Sequence, residues 1–395
     1  MEKTVNAQRR NLILGGAALA ATAGLPRIAL AADPIKVGLI VPMSGPFAST
    51  GKEIWAAVKL YQQLQGDTVA GRKVEVILKD DGGVNPEITK RQAQELVSRD
   101  KVQVLAGFGL TPLAFAAAPV ATQAKTPMIV MAAGTSVIPQ RSPYIVRTAF
   151  TLPQATAPMA TWAARNKIRS VVTLVADFGP GIDAEKTFTK FFTEAGGKIV
   201  ENLRVPVRNP DYSPFLQRVK DAKPEAVFVF VPSGEGAALM KQYNERGLAA
   251  AGIKMIGTGD VMDDELLPAM GQAAVGVISS HHYSAAHSSP ENKAYVEAFA
   301  KANPDMRPNF MSAGGYDGMH LLYEALKKTN GDADGDKLLA AMKGMSWTSI
   351  RGPVTIDPNT RDIIQDIYIR EARMVNGQVY NVEIDKIEQV RDPGV

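Results

Sequence analysis

From Pro34 onward, short runs of β-branched and other apolar residues alternate with stretches whose apolar positions recur at three- and four-residue spacing. The first runs are IKVGLIV (Ile35 to Val41), KVEVILK (Lys73 to Lys79), VQVLAG (Val102 to Gly107) and PMIVMA (Pro127 to Ala132). Between the first two, Ile54, Ala57, Val58, Tyr61 and Leu64 make one apolar helix face. A second series begins with VVTLVAD (Val171 to Asp177) and continues through KIVENLRV (Lys198 to Val205), AVFVFV (Ala226 to Val231) and IKMIG (Ile253 to Gly257). Strands alternating with helices predict βαβ units around parallel sheets, and strands apolar along most of their length fit sheets covered on both faces. The expected fold is therefore α/β, with two doubly wound lobes and a first boundary near Arg147 to Phe150.

The tail departs from this rhythm. Helical patterns at Glu291 to Ala302 and Ser312 to Thr329 follow GVISSHHY (Gly276 to Tyr283), and Gly352 to Val390 turns to β-like alternation. Such a tail can return to complete the first lobe and then cross back, which periodicity alone leaves open.

The first 31 residues differ in kind. A basic start (Lys3, Arg9, Arg10) precedes an apolar stretch of small residues from Leu12 to Leu25, and Ala29-Leu30-Ala31 then stands before Ala32. That is the layout of a secretory signal with an A-x-A cleavage site. The stretch falls short of the roughly 20 apolar residues a spanning helix needs. Arg9-Arg10 followed by Asn11, Leu12 and Ile13 also fits a twin-arginine signal, so both export routes stay open.

Composition narrows the picture further. The chain has no cysteine, which excludes a disulfide framework, thiolate metal ligands, a cysteine nucleophile and a lipidated cysteine at the cleavage site. Its core alone must hold it together, and the length suits two domains. Of the formal charge of +4, the signal carries Lys3, Arg9, Arg10 and Arg27 against Glu2, so the remainder is close to neutral. No basic stripe with interleaved aromatics is present, which argues against nucleic acid as a partner. GFG at Gly107 to Gly109 lacks the third glycine of a dinucleotide fingerprint and runs into Thr111-Pro112.

Three stretches carry a resemblance: KVGLIVPMSGPFASTG (Lys36 to Gly51), KDDGGVNPE (Lys79 to Glu87) and GGYDGMHLLYEALKKT (Gly314 to Thr329). In their order and spacing the chain resembles the type I periplasmic binding proteins of the branched-chain amino-acid family, over essentially all of the sequence after the signal. The resemblance implies two lobes joined by a three-crossing hinge. The crossings would fall near Arg147 to Phe150, Ser279 to Tyr283 and Ser349 to Pro353, giving one lobe of residues 34–149 plus 283–350 and another of 150–282 plus 351–395.

The same resemblance implies that the loops FGLTPLA (Phe108 to Ala114) and MAAGTS (Met131 to Ser136) hold a ligand carboxylate. Thr111, beside Leu110, stands where the family has a carboxylate-binding serine, and Thr135, beside Gly134, matches its second hydroxyl. Hydroxyls and free N–H groups at a helix start suit an anion that must later depart. Turn and N-cap chemistry would explain both threonines equally simply. Phe178 falls where the family has a ligand-covering tyrosine, and Ser233 where many relatives have another. Asp260 lies one position from the usual ammonium-pairing glutamate; it could instead cap a helix through VMDDELL. Thr50 lies near a side-chain-contacting position, or caps the helix through Trp55. Phe178 could also be plain core.

His281, His282 and His287 form the histidine cluster. Their spacing matches no standard metal motif, but His281, His282 and Tyr283 fall at the second crossing, which makes His282 a candidate polar contact. NGDADG (Asn330 to Gly335) opens like a calcium loop, but its twelfth position is Ala341 rather than glutamate, so a turn capping the helix from Lys337 is expected. No G-x-S-x-G elbow is present, and no enzyme activity, cofactor or metal is expected. The reading is a monomeric periplasmic binding component that delivers a small molecule to the inner-membrane permease subunits of an ABC importer. Its ligand is a branched-chain type amino acid or, alternatively, an aromatic or other carboxylate without an amine. A ligand-binding sensor domain is the alternative from another functional class.

Overall fold

The computed structural model of the chain describes residues 33–83, 85–207 and 210–394. The expected export signal of residues 1–31 lies outside them. The apolar runs become strands almost where the pattern places them. β1 (Ile35–Val41), β2 (Thr68–Val69), β3 (Arg72–Asp80), β4 (Val104–Gly107), β5 (Met128–Val130) and β6 (Ile145–Arg147) form one sheet in the order β2-β3-β1-β4-β5-β6. Every pair in it is parallel except the β2–β3 hairpin. Helices α1 (Ala48–Gln65), α2 (Pro86–Ser98) and α3 (Thr111–Ala124) make the long connections that parallel strands require.

After β6 the chain enters α4 (Leu152–Arg165) and starts a second sheet. Thr151 closes a capping box there: its hydroxyl accepts from the Gln154 N–H at 3.0 Å and its own N–H donates to the Gln154 side chain at 3.3 Å. β7 (Ser170–Ala176), α5 (Gly179–Glu194), β8 (Lys198–Val205), α6 (Ser213–Ala222), β9 (Ala226–Phe230), α7 (Gly236–Glu245), β10 (Lys254–Thr258), α8 (Leu267–Met270) and β11 (Ile278–His281) continue the alternation. All five residues of β9 and all but the first of β7 are buried, as strands covered on both faces must be.

The tail divides between the two sheets. α9 (Pro290–Ala302) and α10 (Phe310–Lys328) pack on α1, and α11 (Gly335–Met342) packs on α10. The strands β12 (Ser346–Ser349), β13 (Gly352–Ile356), β14 (Ile363–Val375) and β15 (Gln378–Val390) then join the second sheet, whose order is β12-β13-β14-β11-β10-β9-β7-β8 with β15 also on β14. β14 meets β11 antiparallel. The NGDADG stretch is a turn, as expected, and Asp334 caps α11 by accepting from the Asp336 and Lys337 N–H groups at 3.1 Å.

Buried cations stitch the places where the chain passes from one sheet to the other. Arg351, at the turn between β12 and β13, donates to the carbonyls of Thr148 and Ala149 just after β6 and pairs with Asp317 of α10 at 2.8 Å. Asp317 also accepts from Trp347 Nε1 at 3.0 Å and from Ser349 Oγ at 2.7 Å. β12 therefore belongs to the second sheet by its backbone and to α10 by its side chains. One expected element is displaced: most of VMDDELL forms turns, and a helix, α8, starts only at its last residue, Leu267; the Asp263 carboxyl takes the Glu265 N–H at 3.0 Å and is further held by side chains from elsewhere.

Candidate functional site

The carboxyl ends of the central strands of both sheets open onto one narrow cleft, the position at which open α/β sheets take ligands. On the first wall, β4 ends in a left-handed turn: Gly107 has φ +104, and a side-chain carbon there would meet the Ile40 carbonyl oxygen at 2.4 Å. Phe108 follows with φ +65 while fully buried, a conformation a bulky residue keeps only where its surroundings enforce it. The enforcement is visible, since the Phe108 N–H donates to the Ile40 carbonyl at 2.8 Å and its carbonyl accepts from Ala133 at 3.1 Å. Those bonds lock the loop after β4 to the loop after β5.

Thr111 is the first residue of α3, not its cap; Leu110 holds the cap position with extended φ and ψ and no side-chain bond. The Thr111 and Thr135 hydroxyls bond each other at 2.9 Å. A hydroxyl pair at the positive end of a helix dipole suits an anion, although Pro112 has no N–H and the Leu113 N–H donates to the Leu110 carbonyl at 3.1 Å. Buried Arg147, on the last residue of β6, fixes the second loop by donating to the carbonyls of Ala133 at 3.0 Å, Thr135 at 2.9 Å and Ser136 at 3.3 Å. Its Nε meets Asp362 at 2.6 Å.

The second wall is aromatic and acidic. Phe178, the residue before α5, stacks on Phe230 at the end of β9, with centroids 6.0 Å apart and planes 26° apart. Asp260, after β10, accepts from the Thr258 hydroxyl at 2.9 Å and stands 3.6 Å from His281 Nε2. Burial pushes His281 down to about 4, so the imidazole beside Asp260 is neutral at pH 7. Ser233 donates to the buried Asp263 carboxyl. The two walls touch: the Ser136 N–H donates to Asp183 of α5 at 3.2 Å, and a side-chain carbon at Gly179 would lie 3.0 Å from Thr135 Oγ1.

Of the residues singled out from the sequence, Thr50, Leu110, Thr111, Gly134, Phe178, Ser233 and Asp260 line this cleft. Thr135 sits directly behind Thr111 through their shared hydrogen bond. His282 does not reach the lining; its buried ring lies behind Phe150 at 5.2 Å. His287 pairs with Glu383 at 2.9 Å, away from the other two, and among the described residues no group of three His, Cys, Asp or Glu side chains could hold a metal. Thr50 is the third residue of α1 and caps nothing, since the cap position is Phe47. Asp260 likewise caps no helix.

Sequence reasoning missed the apolar side chains Phe47, Phe150, Leu152, Phe230 and Met311 of the lining, and Arg147 behind it. Phe230 carried a usable signal, because it ends a buried parallel strand and so points its neighbourhood at the cleft. Chemically, the cleft offers hydroxyl donors at one wall, a carboxyl acceptor at the other and aromatic faces. The two threonine hydroxyls bond each other rather than a base, so no activated nucleophile is assembled there.

Residues 34–378 match the family model described as periplasmic binding protein, and the chain belongs to that family. The fold is that of the type I periplasmic binding proteins, two doubly wound lobes, and the chain is a solute-binding component of the ABC transporter class. Among curated relatives, the Leu/Ile/Val-binding protein homolog 6 of Brucella abortus (strain 2308) is 45% identical over 368 residues, 92% of this chain and 94% of that protein. Among solved structures, the solute-binding protein of an ABC transporter from Rhodopseudomonas palustris BisB5, in complex with 3,4-dihydroxybenzoic acid, is 61% identical with a TM-score of 0.89, covering 91% of this chain and 99% of that one. A corresponding protein from Rhodopseudomonas palustris HaA2, in complex with p-hydroxybenzoic acid, is 42% identical with a TM-score of 0.89, again covering 91% and 99%.

Proposed function

We propose that this protein captures a hydroxylated aromatic carboxylate, of the 4-hydroxybenzoate or 3,4-dihydroxybenzoate type, and delivers it in the periplasm to the membrane subunits of an ABC importer without altering it. The observation that carries this reading is the aromatic lining: Phe178 stacked on Phe230, with Phe47 and Phe150 in the same cleft. A benzene ring can pack against such a set of faces at the offset-stacked or edge-on distances aromatic pairs prefer. Thr111, Thr135 and the start of α3 would take the carboxylate, and Asp260 with Ser233 would take the ring hydroxyl. The bound aromatic acids of the 61% and 42% identical proteins support the same class. This puts the aromatic carboxylate ahead of the branched-chain amino acid. The amino acid keeps one specific argument, an acid at Asp260 able to pair with an ammonium, together with the name of the 45% identical relative.

The lobes of this reading are residues 34–149 plus 283–350 and residues 150–282 plus 351–395, with β12 reaching across to pair in the second sheet, and they turn about the segments that Arg351 holds. Ligand contacts made with both walls favour the closed arrangement and shift the lobes toward it. A thermal-shift screen of hydroxybenzoates, benzoate, leucine, isoleucine and valine tests the assignment. Stabilisation by the hydroxybenzoates and not by the aliphatic amino acids is expected; the reverse pattern overturns it.

A further inference from the structure

The geometry points to a proton-binding site that spans the two lobes beside the cleft, where Glu53 of α1 and Glu265 of the turn after β10 take up a proton when the lobes close. Glu53 is fully buried, and neither of its carboxyl oxygens finds a well-aligned donor among the described residues. The groups beside it are the Ser312 side chain and the Asn309 backbone. Both are already engaged: Ser312 Oγ donates to the Asn309 carbonyl at 2.7 Å, and the Asn309 N–H donates to Ser312 Oγ at 3.0 Å, closing the capping box of α10.

What faces Glu53 from the other lobe is negative, namely Glu265 and Asp263. Glu265 Oε2 is buried without a partner too. A carboxylate can only accept hydrogen bonds, whereas a protonated carboxyl can donate one. One proton placed here relieves the like-charge repulsion on Glu53 and supplies a donor.

The remaining charged and titratable neighbours leave that deficit in place. Lys52 faces Glu265 from the adjoining position of α1. Asp263 is supplied by Ser233, by the Glu265 N–H and by the Asn309 amide at 2.9 and 3.1 Å, with Asp260 nearby. Arg370 and Arg307 act on Asp264. Tyr283 and Tyr295 also face Glu53; burial keeps both phenols protonated, and neither buried hydroxyl makes a hydrogen bond to the Glu53 carboxyl. Burial followed by the Glu265 and Asp263 charges holds Glu53 well above the usual carboxylate range, and burial followed by Asp263 lifts Glu265 to about 7.

The site is wired to the cleft. Ser233, which lines it, donates to Asp263; Asn309, which caps α10 beside Glu53, donates to Asp263 as well. Closing the lobes on ligand brings these carboxyl groups together, so capture and proton uptake are linked. This rests on the closing clamp proposed above.

The sign follows from the direction of the shifts. Groups whose values rise on closure favour the closed form at low pH, and that advantage is lost as pH climbs through their closed-state values. Between pH 5.5 and 7.5 a simple carboxyl and a phenol both keep their charge, so 4-hydroxybenzoate is a suitable probe. Its Kd by titration calorimetry should weaken about tenfold from pH 5.5 to 7.5, and buffers of differing ionisation enthalpy should report proton uptake on binding. Glu53→Gln should flatten that slope and bind more tightly than wild type at pH 7.5. Glu265→Gln, a half-buried position, should do the same to a smaller degree and covers the case in which Glu53→Gln fails to fold. A pH-independent Kd with no proton uptake overturns the proposal while leaving the ligand assignment standing. If 4-hydroxybenzoate does not bind at all, the ligand assignment fails, and small-angle scattering of the free protein decides the linkage: compaction on lowering pH supports it, and an unchanged radius of gyration contradicts it.

Discussion

Arg147 and Asp362 meet at 2.6 Å, both buried, where the last strand of the first sheet passes the turn before β14 of the second. The same guanidinium carries three carbonyls of the loop that presents Thr135. A single side chain thus fixes the anion loop and ties it to the opposite sheet. Breaking a buried pair by removing one partner leaves the other charge stranded, at a cost of about 3–5 kcal/mol. Arg147→Met should lose stability on that scale in urea unfolding, and adding Asp362→Leu should regain part of the loss; equal stability of Arg147→Met and wild type would refute the role.

The Thr111–Thr135 hydroxyl pair is expected to supply hydrogen bonds to a ligand carboxylate. Bonds to charged groups are worth about 1.5–3 kcal/mol, so Thr135→Val should weaken binding roughly tenfold to a hundredfold. Because the two hydroxyls bond each other, Thr111→Val on top of it should cost less than on its own. Calorimetric titration of the two single variants and the double variant reads this directly, and additive losses would speak against a shared anion site.

Much of this was legible from the chain. Ile35 to Val41 and Lys198 to Val205 are strands with the bounds their pattern gives: the first is a near-continuous apolar run because it is buried on both faces, and the second alternates because it lies at the edge of its sheet. The cleft's polar residues were also visible, as hydroxyls and an acid just past strand ends. What was hidden depends on long-range packing. Phe47, Phe150 and Met311 reach the cleft from three distant segments, and nothing in their local sequence separates a cleft-lining apolar residue from a core one. VMDDELL reads as helical locally, yet Ser233 and Asn309 hold Asp263 from far along the chain and tertiary bonds override the propensity.

Asp260 should read the ring hydroxyl. Asp260→Asn is expected to weaken 4-hydroxybenzoate binding about tenfold or more, while benzoate, which has no hydroxyl to place there, changes little. Equal losses for both acids would move the role of Asp260 from ligand contact to wall structure.

His281 links the cleft to acid stability. Its ring lies 4.5 Å from Phe150 and 4.3 Å from Phe310, and burial lowers it from 6.5 to about 4. The unfolded chain therefore takes up a proton below pH 6.5 that the folded protein refuses until about pH 4. Stability is retained above 6.5 and declines as pH falls through that window, by roughly 3 kcal/mol at most. His281→Phe keeps a ring between its aromatic neighbours and removes the titration. Its unfolding free energy should change less between pH 6.5 and 4 than that of wild type, and parallel profiles would show that His281 contributes nothing to the acid slope.

The central claim is that an aromatic carboxylate, held by the Thr111–Thr135 pair and the Phe178–Phe230 stack, is what the clamp closes on. Calorimetric titration of the wild-type protein with 4-hydroxybenzoate and with leucine, side by side in one buffer, tests it most directly. A saturable one-to-one isotherm for 4-hydroxybenzoate and no heat with leucine is the predicted result. Saturable leucine binding with no response to the aromatic acid would contradict it.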